Sequence, residues 1–107
     1  MNTYRLEVDR RYSKLLDDQL AWVQEHFGQR GATKLATAID AFYDVVVVYP
    51  TRFPRLRPKA ATAQHLRVAH VEWLRIAYEV YDDDELIVIL AVRHERADPR
   101  RLIDDVT

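Results

Sequence analysis

Residues 3–8 alternate, with Tyr4, Leu6 and Val8 on one face and Arg5 and Glu7 on the other. That period of two predicts a half-buried strand. Asp9 follows, carrying a side chain suited to accept from the free N–H groups of a helix start. Apolar residues then recur every three or four positions, at Tyr12, Leu15, Leu16, Leu20, Val23 and Phe27. Asp17, Asp18, Gln24 and Glu25 take the outer face, so the spacing predicts an amphipathic helix stopped at Gly28. A second helix opens at Gly31 and carries its stripe through Ala32, Leu35, Ile39, Phe42, Val46 and Tyr49. Pro50 ends it. The β-branched run Val45–Val48 favours a strand by itself, but the upstream stripe passes through it in phase. About three residues join the two helices, which predicts an antiparallel hairpin.

Residues 50–63 lose all periodicity and hold three of the four prolines. Arg52, Arg55, Arg57 and Lys59 are interleaved there with Phe53 and Leu56, the pattern of an ordered basic loop. Strand periodicity returns at His65–Val71 and again at Trp73–Tyr81, where Leu74, Ile76, Tyr78 and Val80 alternate with Arg75, Ala77 and Glu79. Asp82-Asp83-Asp84-Glu85 forms a turn. Leu86–Val92 is apolar at every position, as in a central strand covered on both faces. Beyond it, Arg93–Thr107 is charged and weakly helical around Arg100–Val106. The expected fold is α+β, in the order β-α-α-β-β-β. A two-helix antiparallel hairpin packs on a four-stranded, mainly antiparallel sheet whose last three strands form a meander.

At 107 residues the chain is expected to form one domain spanning 1–107, burying roughly 60–70% of its extended surface. Cysteine is absent, which excludes a disulfide scaffold, a zinc finger and a thiol enzyme. No apolar run approaches the roughly 18–20 residues that cross a bilayer. The opening Met-Asn-Thr-Tyr-Arg-Leu-Glu has no signal-peptide core. A cytoplasmic protein without membrane contact is expected. The four histidines show no ligand spacing, since His65 and His70 fall on opposite faces of one strand. Neither a metal nor a cofactor is expected.

The net charge of −1 conceals a segregation. Residues 52–75 carry six basic residues, among them Arg67 and Arg75, against Glu72 alone, a net +5. Residues 76–92 carry −5, and residues 93–101 carry +2 through Arg93, Arg96, Arg100 and Arg101. The expected molecule is bipolar, with both basic segments at one end of the sheet and the acidic turn at the other. Arginine outnumbers lysine 13 to 3, and its planar fork suits phosphate and carboxylate. The plain alternative for any one of these arginines is a solvated side chain or a surface ion pair.

The segment Leu74-Arg75-Ile76-Ala77-Tyr78-Glu79-Val80, the acidic turn, and Ile87 to Asp98 together resemble the RelE/ParE superfamily of toxins from type II toxin–antitoxin modules. There a strand bearing Arg, two residues, Tyr, one residue and Val precedes an apolar strand with a His/Arg-rich end. The N-terminal strand, the paired helices and the proline after them also match, so the resemblance spans nearly the whole chain. It implies a toxin neutralised by a cognate antitoxin, as a hetero-oligomer. ParE-like members inhibit DNA gyrase by binding; RelE-like members cut mRNA on the ribosome without a metal.

The nuclease alternative implies Arg75 as phosphate clamp and Arg67 as a second. His94 serves as acid or base, and Arg96 supports the transition-state charge. Three departures from the nuclease pattern favour the ParE-like branch. The span Gln64–Val71 has no lysine, no tyrosine follows the last strand, and a pI near 6.4 suits ribosomal RNA poorly. On that branch Arg52, Arg55, Arg57, Lys59, Arg93, Arg100 and Arg101 are expected to meet the target or an acidic antitoxin tail. Trp22 and Trp73 read as core or interface anchors.

Overall fold

A computed structural model of the chain describes residues 3–55 and 66–106. Along it run β1 (Arg5–Val8), α1 (Arg10–Val46), β2 (Leu66–Val71), β3 (Leu74–Tyr81), β4 (Leu86–His94) and α2 (Pro99–Val106). This is the α+β order that the periodicity predicts. The Asp9 carboxylate accepts from the Arg11 backbone N–H at 2.8 Å, so α1 starts at the residue that can satisfy its first free donors.

Inside α1 one residue, Gly28, leaves helical geometry, at φ 74° and ψ −174°. The hydroxyls of Tyr12 and Tyr43, 31 residues apart, meet at 2.5 Å. A straight helix would hold them about 46 Å apart. α1 is therefore two antiparallel limbs, and the joint is a single residue instead of the three expected. Gly31 does not open the second limb but lies within it. A Cβ there would stand 2.8 Å from Cβ of Phe27, so its bare backbone lets the limbs close. At Gly28 a Cβ would meet nothing within 4 Å, yet only glycine adopts that backbone region freely. Gly28→Ala is expected to cost about 1–3 kcal/mol through backbone strain alone, read as a lower urea midpoint with an unchanged slope.

The second limb ends at Val46, short of Pro50. Two causes are visible. The Val47 carbonyl is taken by the Tyr4 N–H at 2.9 Å, and the residue before a proline is biased away from helical geometry. Tyr49 consequently leaves the apolar stripe and is 52% exposed.

The sheet order is β1-β4-β3-β2. β1 pairs parallel with β4, and the other neighbours are antiparallel. One irregularity decides the sidedness of the molecule. Ala77 pairs with Ala91 while Tyr78 pairs with Ile89, which leaves Leu90 as an extra residue in β4. Such a bulge changes the phase of side-chain alternation. Ile87 and Ile89 face the hairpin before it, and Val92 faces the hairpin after it, whereas Ala91 faces outward.

The main core lies between hairpin and sheet. Tyr12, Val23, Leu35, Ile39, Phe42 and Val46 meet Val71, Leu74, Ile76, Tyr78, Ile87, Ile89 and Val92. On the outer face α2 sets Leu102 against Val68, Ala77 and Ala91. Pro99 suits the first turn of that helix, and Asp98 caps it by accepting from the Arg100 N–H at 3.0 Å. No described helix is long and apolar enough to cross a membrane.

Candidate functional site

Antiparallel pairing aligns His70 of β2, Arg75 of β3 and Arg93 of β4 on one rung. All three stand on the outer face, beside α2. Arg75 Nε donates to His70 Nε2 at 3.3 Å. The Arg93 guanidinium donates through Nε and one terminal nitrogen to the two carboxylate oxygens of Asp105, at 2.7 and 2.9 Å. That forked contact raises the affinity of Arg93 for its proton.

The next residue goes the other way. His94 pairs with Leu74, on the hairpin side. It lines a cavity of about 320 Å³ with Trp22, Phe27, Gly31, Lys34 and Trp73, at the bend of the hairpin. Its Nδ1 accepts from the Arg96 backbone N–H at 3.0 Å, which fixes the ring. The side chain of Arg96 is exposed in the turn after β4.

Arg67 is drawn into the architecture. One terminal nitrogen donates to the carbonyls of Phe53 at 2.8 Å and Thr51 at 3.3 Å. The backbone of Arg55 bridges to that of Arg67, and the Val68 N–H donates to the Pro54 carbonyl. Arg67 thus ties the segment after the hairpin to the edge of β2. Of the four residues of the nuclease alternative, Arg75 stands on the outer face and His94 on the inner. Arg67 lies along the hairpin-facing side of β2 and Arg96 beyond the sheet, so the fold does not bring the four together.

The binding candidates scatter as well. Arg52 is exposed and borders a shallow depression with Phe53, His70 and Val71. Arg55 and Arg101 are exposed, and Arg100 pairs with Asp98 at 3.1 Å. Arg57 and Lys59 lie outside the described residues, as does His65, the first residue of the expected strand. The acidic turn Asp82–Glu85 does lie opposite the Arg93–Arg101 end. The +5 segment, however, is not one patch, because Arg67 and Arg75 stand on opposite faces. Among the described residues no group of three His, Cys, Asp or Glu is placed to hold a metal.

Trp22, expected as a core or interface anchor, belongs to an aromatic cap at the hairpin bend that the helical spacing of Phe27 does not announce. Trp22 is 45% exposed and Phe27 65% exposed, and His26 stacks on Trp22 with centroids 4.3 Å apart. Phe27 has the spacing of a core residue but sits where the limb runs past the sheet. Two glycines three residues apart amid bulky aromatics are the signal for it. The motif tyrosine Tyr78 also finds a structural place: its hydroxyl donates to the Pro50 carbonyl at 2.8 Å.

A family model described as ParE toxin of type II toxin–antitoxin system, parDE, matches residues 6–99. Three solved structures are similar in fold. The toxin–antitoxin complex RelBE2 from Mycobacterium tuberculosis is 21% identical, with a TM-score of 0.65, over 92% of this chain and 97% of that one. A mutant of E. coli RelE in the free state is 14% identical, with a TM-score of 0.56, over 97% and 94%. The archaeal RelE–RelB complex from Pyrococcus horikoshii OT3 is 19% identical, with a TM-score of 0.54, over 90% and 99%. No curated protein gives a significant match to the chain.

Proposed function

Because the chain belongs to the family of ParE toxins of type II toxin–antitoxin systems, we propose that it inhibits DNA gyrase by binding, without turnover. The observation that carries this reading is the phase change at Leu90, which turns Arg75 and His94 to opposite faces of the sheet. Cleavage at a 2′-hydroxyl needs base, acid and cationic stabiliser around one phosphate. Binding needs no such convergence. The engagement of Arg67 with two backbone carbonyls supports the same reading, since it leaves that side chain little freedom to clamp a substrate.

A cognate antitoxin, forming a hetero-oligomer with the toxin in the cytoplasm, completes the proposal. Two of the similar structures are toxin–antitoxin complexes. The exposed Trp22 and Phe27, with Lys34 beside them, offer the apolar and cationic contacts that a tail folding on binding requires.

The test is an induction time course that follows plasmid supercoiling and mRNA integrity together. Supercoiling is expected to fall first, while mRNA stays intact. Early mRNA fragmentation with supercoiling preserved would establish the ribosome-dependent mRNA interferase instead.

A further inference from the structure

We propose that the cavity at the hairpin bend is a binding site for a small aromatic carboxylate. The inference lies apart from the choice between gyrase and mRNA, and neither target enters its test.

The walls come from separate parts of the chain. Trp22, Phe27, Gly31 and Lys34 belong to α1, His94 ends β4, and Trp73 sits in the turn between β2 and β3. That turn is built at a cost. Val71 pairs with Leu74, so Glu72 and Trp73 alone connect the two strands. Glu72 takes φ 54°, a region where such turns favour glycine. The turn sets Trp73 against the hairpin side of the sheet, and the Glu95 N–H donates to its carbonyl at 2.8 Å. Strain of this kind gathers where a side chain has to be presented.

The chemistry of the lining specifies the ligand. Trp22, Phe27 and Trp73 supply flat apolar walls, and Gly31 adds no side chain to fill the space. The polar groups are donors. Lys34 carries an ammonium, and among the described residues no carboxylate lies within ion-pair distance of it. His94 uses Nδ1 to accept from the Arg96 N–H, which leaves its ring hydrogen on Nε2. The indole N–H of Trp73 is shut away from solvent and meets no acceptor. A buried donor without a partner is costly, and a ligand oxygen relieves that cost. Reaching it takes a side-chain rotation of a kind common on binding. Among the described residues no acidic side chain lines the cavity, so the negative charge has to arrive with the ligand.

Size narrows the class further. A volume of about 320 Å³ stands at the lower end of the roughly 300–1,000 Å³ of small-molecule sites. One fused ring system with a short acidic arm suits it, whereas a peptide tail could insert only a single side chain.

The test follows the indole N–H signals of the nitrogen-labelled full-length protein by NMR. Both tryptophans of the chain line the cavity, so both signals report on it, and Trp73→Phe assigns them. Indole-3-acetate is the probe. Tryptamine carries the same ring with the opposite charge, and N-acetyl-tryptophanamide carries it on an uncharged peptide unit. Indole-3-acetate is expected to shift both signals saturably and to bind at least about tenfold more tightly than either control. Lys34→Gln is expected to weaken it at least about fivefold. Arg30→Gln, the same charge change at an exposed position outside the lining, is expected to change it less than about twofold. Tryptamine binding as tightly, equal effects of the two Gln variants, or unmoved indole signals would overturn the site. N-acetyl-tryptophanamide binding as tightly would overturn the small-molecule assignment in favour of a peptide side chain. The Lys34→Gln arm, at an exposed residue, decides even if Trp73→Phe fails to fold.

Discussion

Tyr78→Ala is expected to lower the free energy of unfolding by about 3–5 kcal/mol. Tyr78→Phe should cost about 1–2 kcal/mol. Tyr78 is fully buried, its ring packs edge-on against Phe42 and Phe53, and its hydroxyl holds the Pro50 carbonyl. The alanine removes both ring and hydroxyl, whereas the phenylalanine strips one partner from a part-buried carbonyl. The difference between the two midpoints in urea isolates the packing. The same residue sets a pH dependence. Burial pushes the Tyr78 hydroxyl up to about 12, and burial also raises Tyr12 and Tyr43. Unfolded tyrosine ionises near pH 10. Between pH 10 and 12 the unfolded chain therefore sheds protons that the folded chain keeps. The stability held below pH 10 is lost as pH rises, by about 1.4 kcal/mol per unit per group. Tyr78→Phe is expected to make that decline shallower.

Leu35→Ala is expected to cost about 2–5 kcal/mol, against less than about 0.5 kcal/mol for Tyr49→Ala. Both residues belong to the same apolar stripe in the sequence. Leu35 is completely buried between the hairpin limbs and the sheet, while Tyr49 lies past the helix end with half its surface in solvent. Thermal or urea unfolding of the two variants reads the contrast directly.

That pair also marks how far the sequence is legible. Period-two and three-to-four spacing define where each element lies, and Asp9, Gly28 and the Asp82–Glu85 turn punctuate them correctly, whereas the helix stops at Val46 before reaching Pro50. The spacing is silent where neighbours compete for a backbone group, as Tyr4 does for the Val47 carbonyl. It is silent too on the parallel pairing of β1 with β4, which is a matter of tertiary placement. The decisive gap is in β4. Because Leu86–Val92 is apolar at every position, alternation there has no phase to read, and the extra residue Leu90 leaves no trace. The facing of Arg93 and His94 hangs on that residue. Arg75 and Arg67 were legible as basic residues of neighbouring strands, but their opposite faces follow only from the register, and the roles of His70 and Asp105 only from the folded pairing.

The most direct test of the central claim uses purified gyrase, relaxed plasmid and the purified protein. A toxin that acts by binding gyrase is expected to stop ATP-dependent supercoiling at concentrations comparable to the enzyme's own. Full supercoiling at a large excess of the protein, together with cleavage of mRNA on translating ribosomes, would contradict the account.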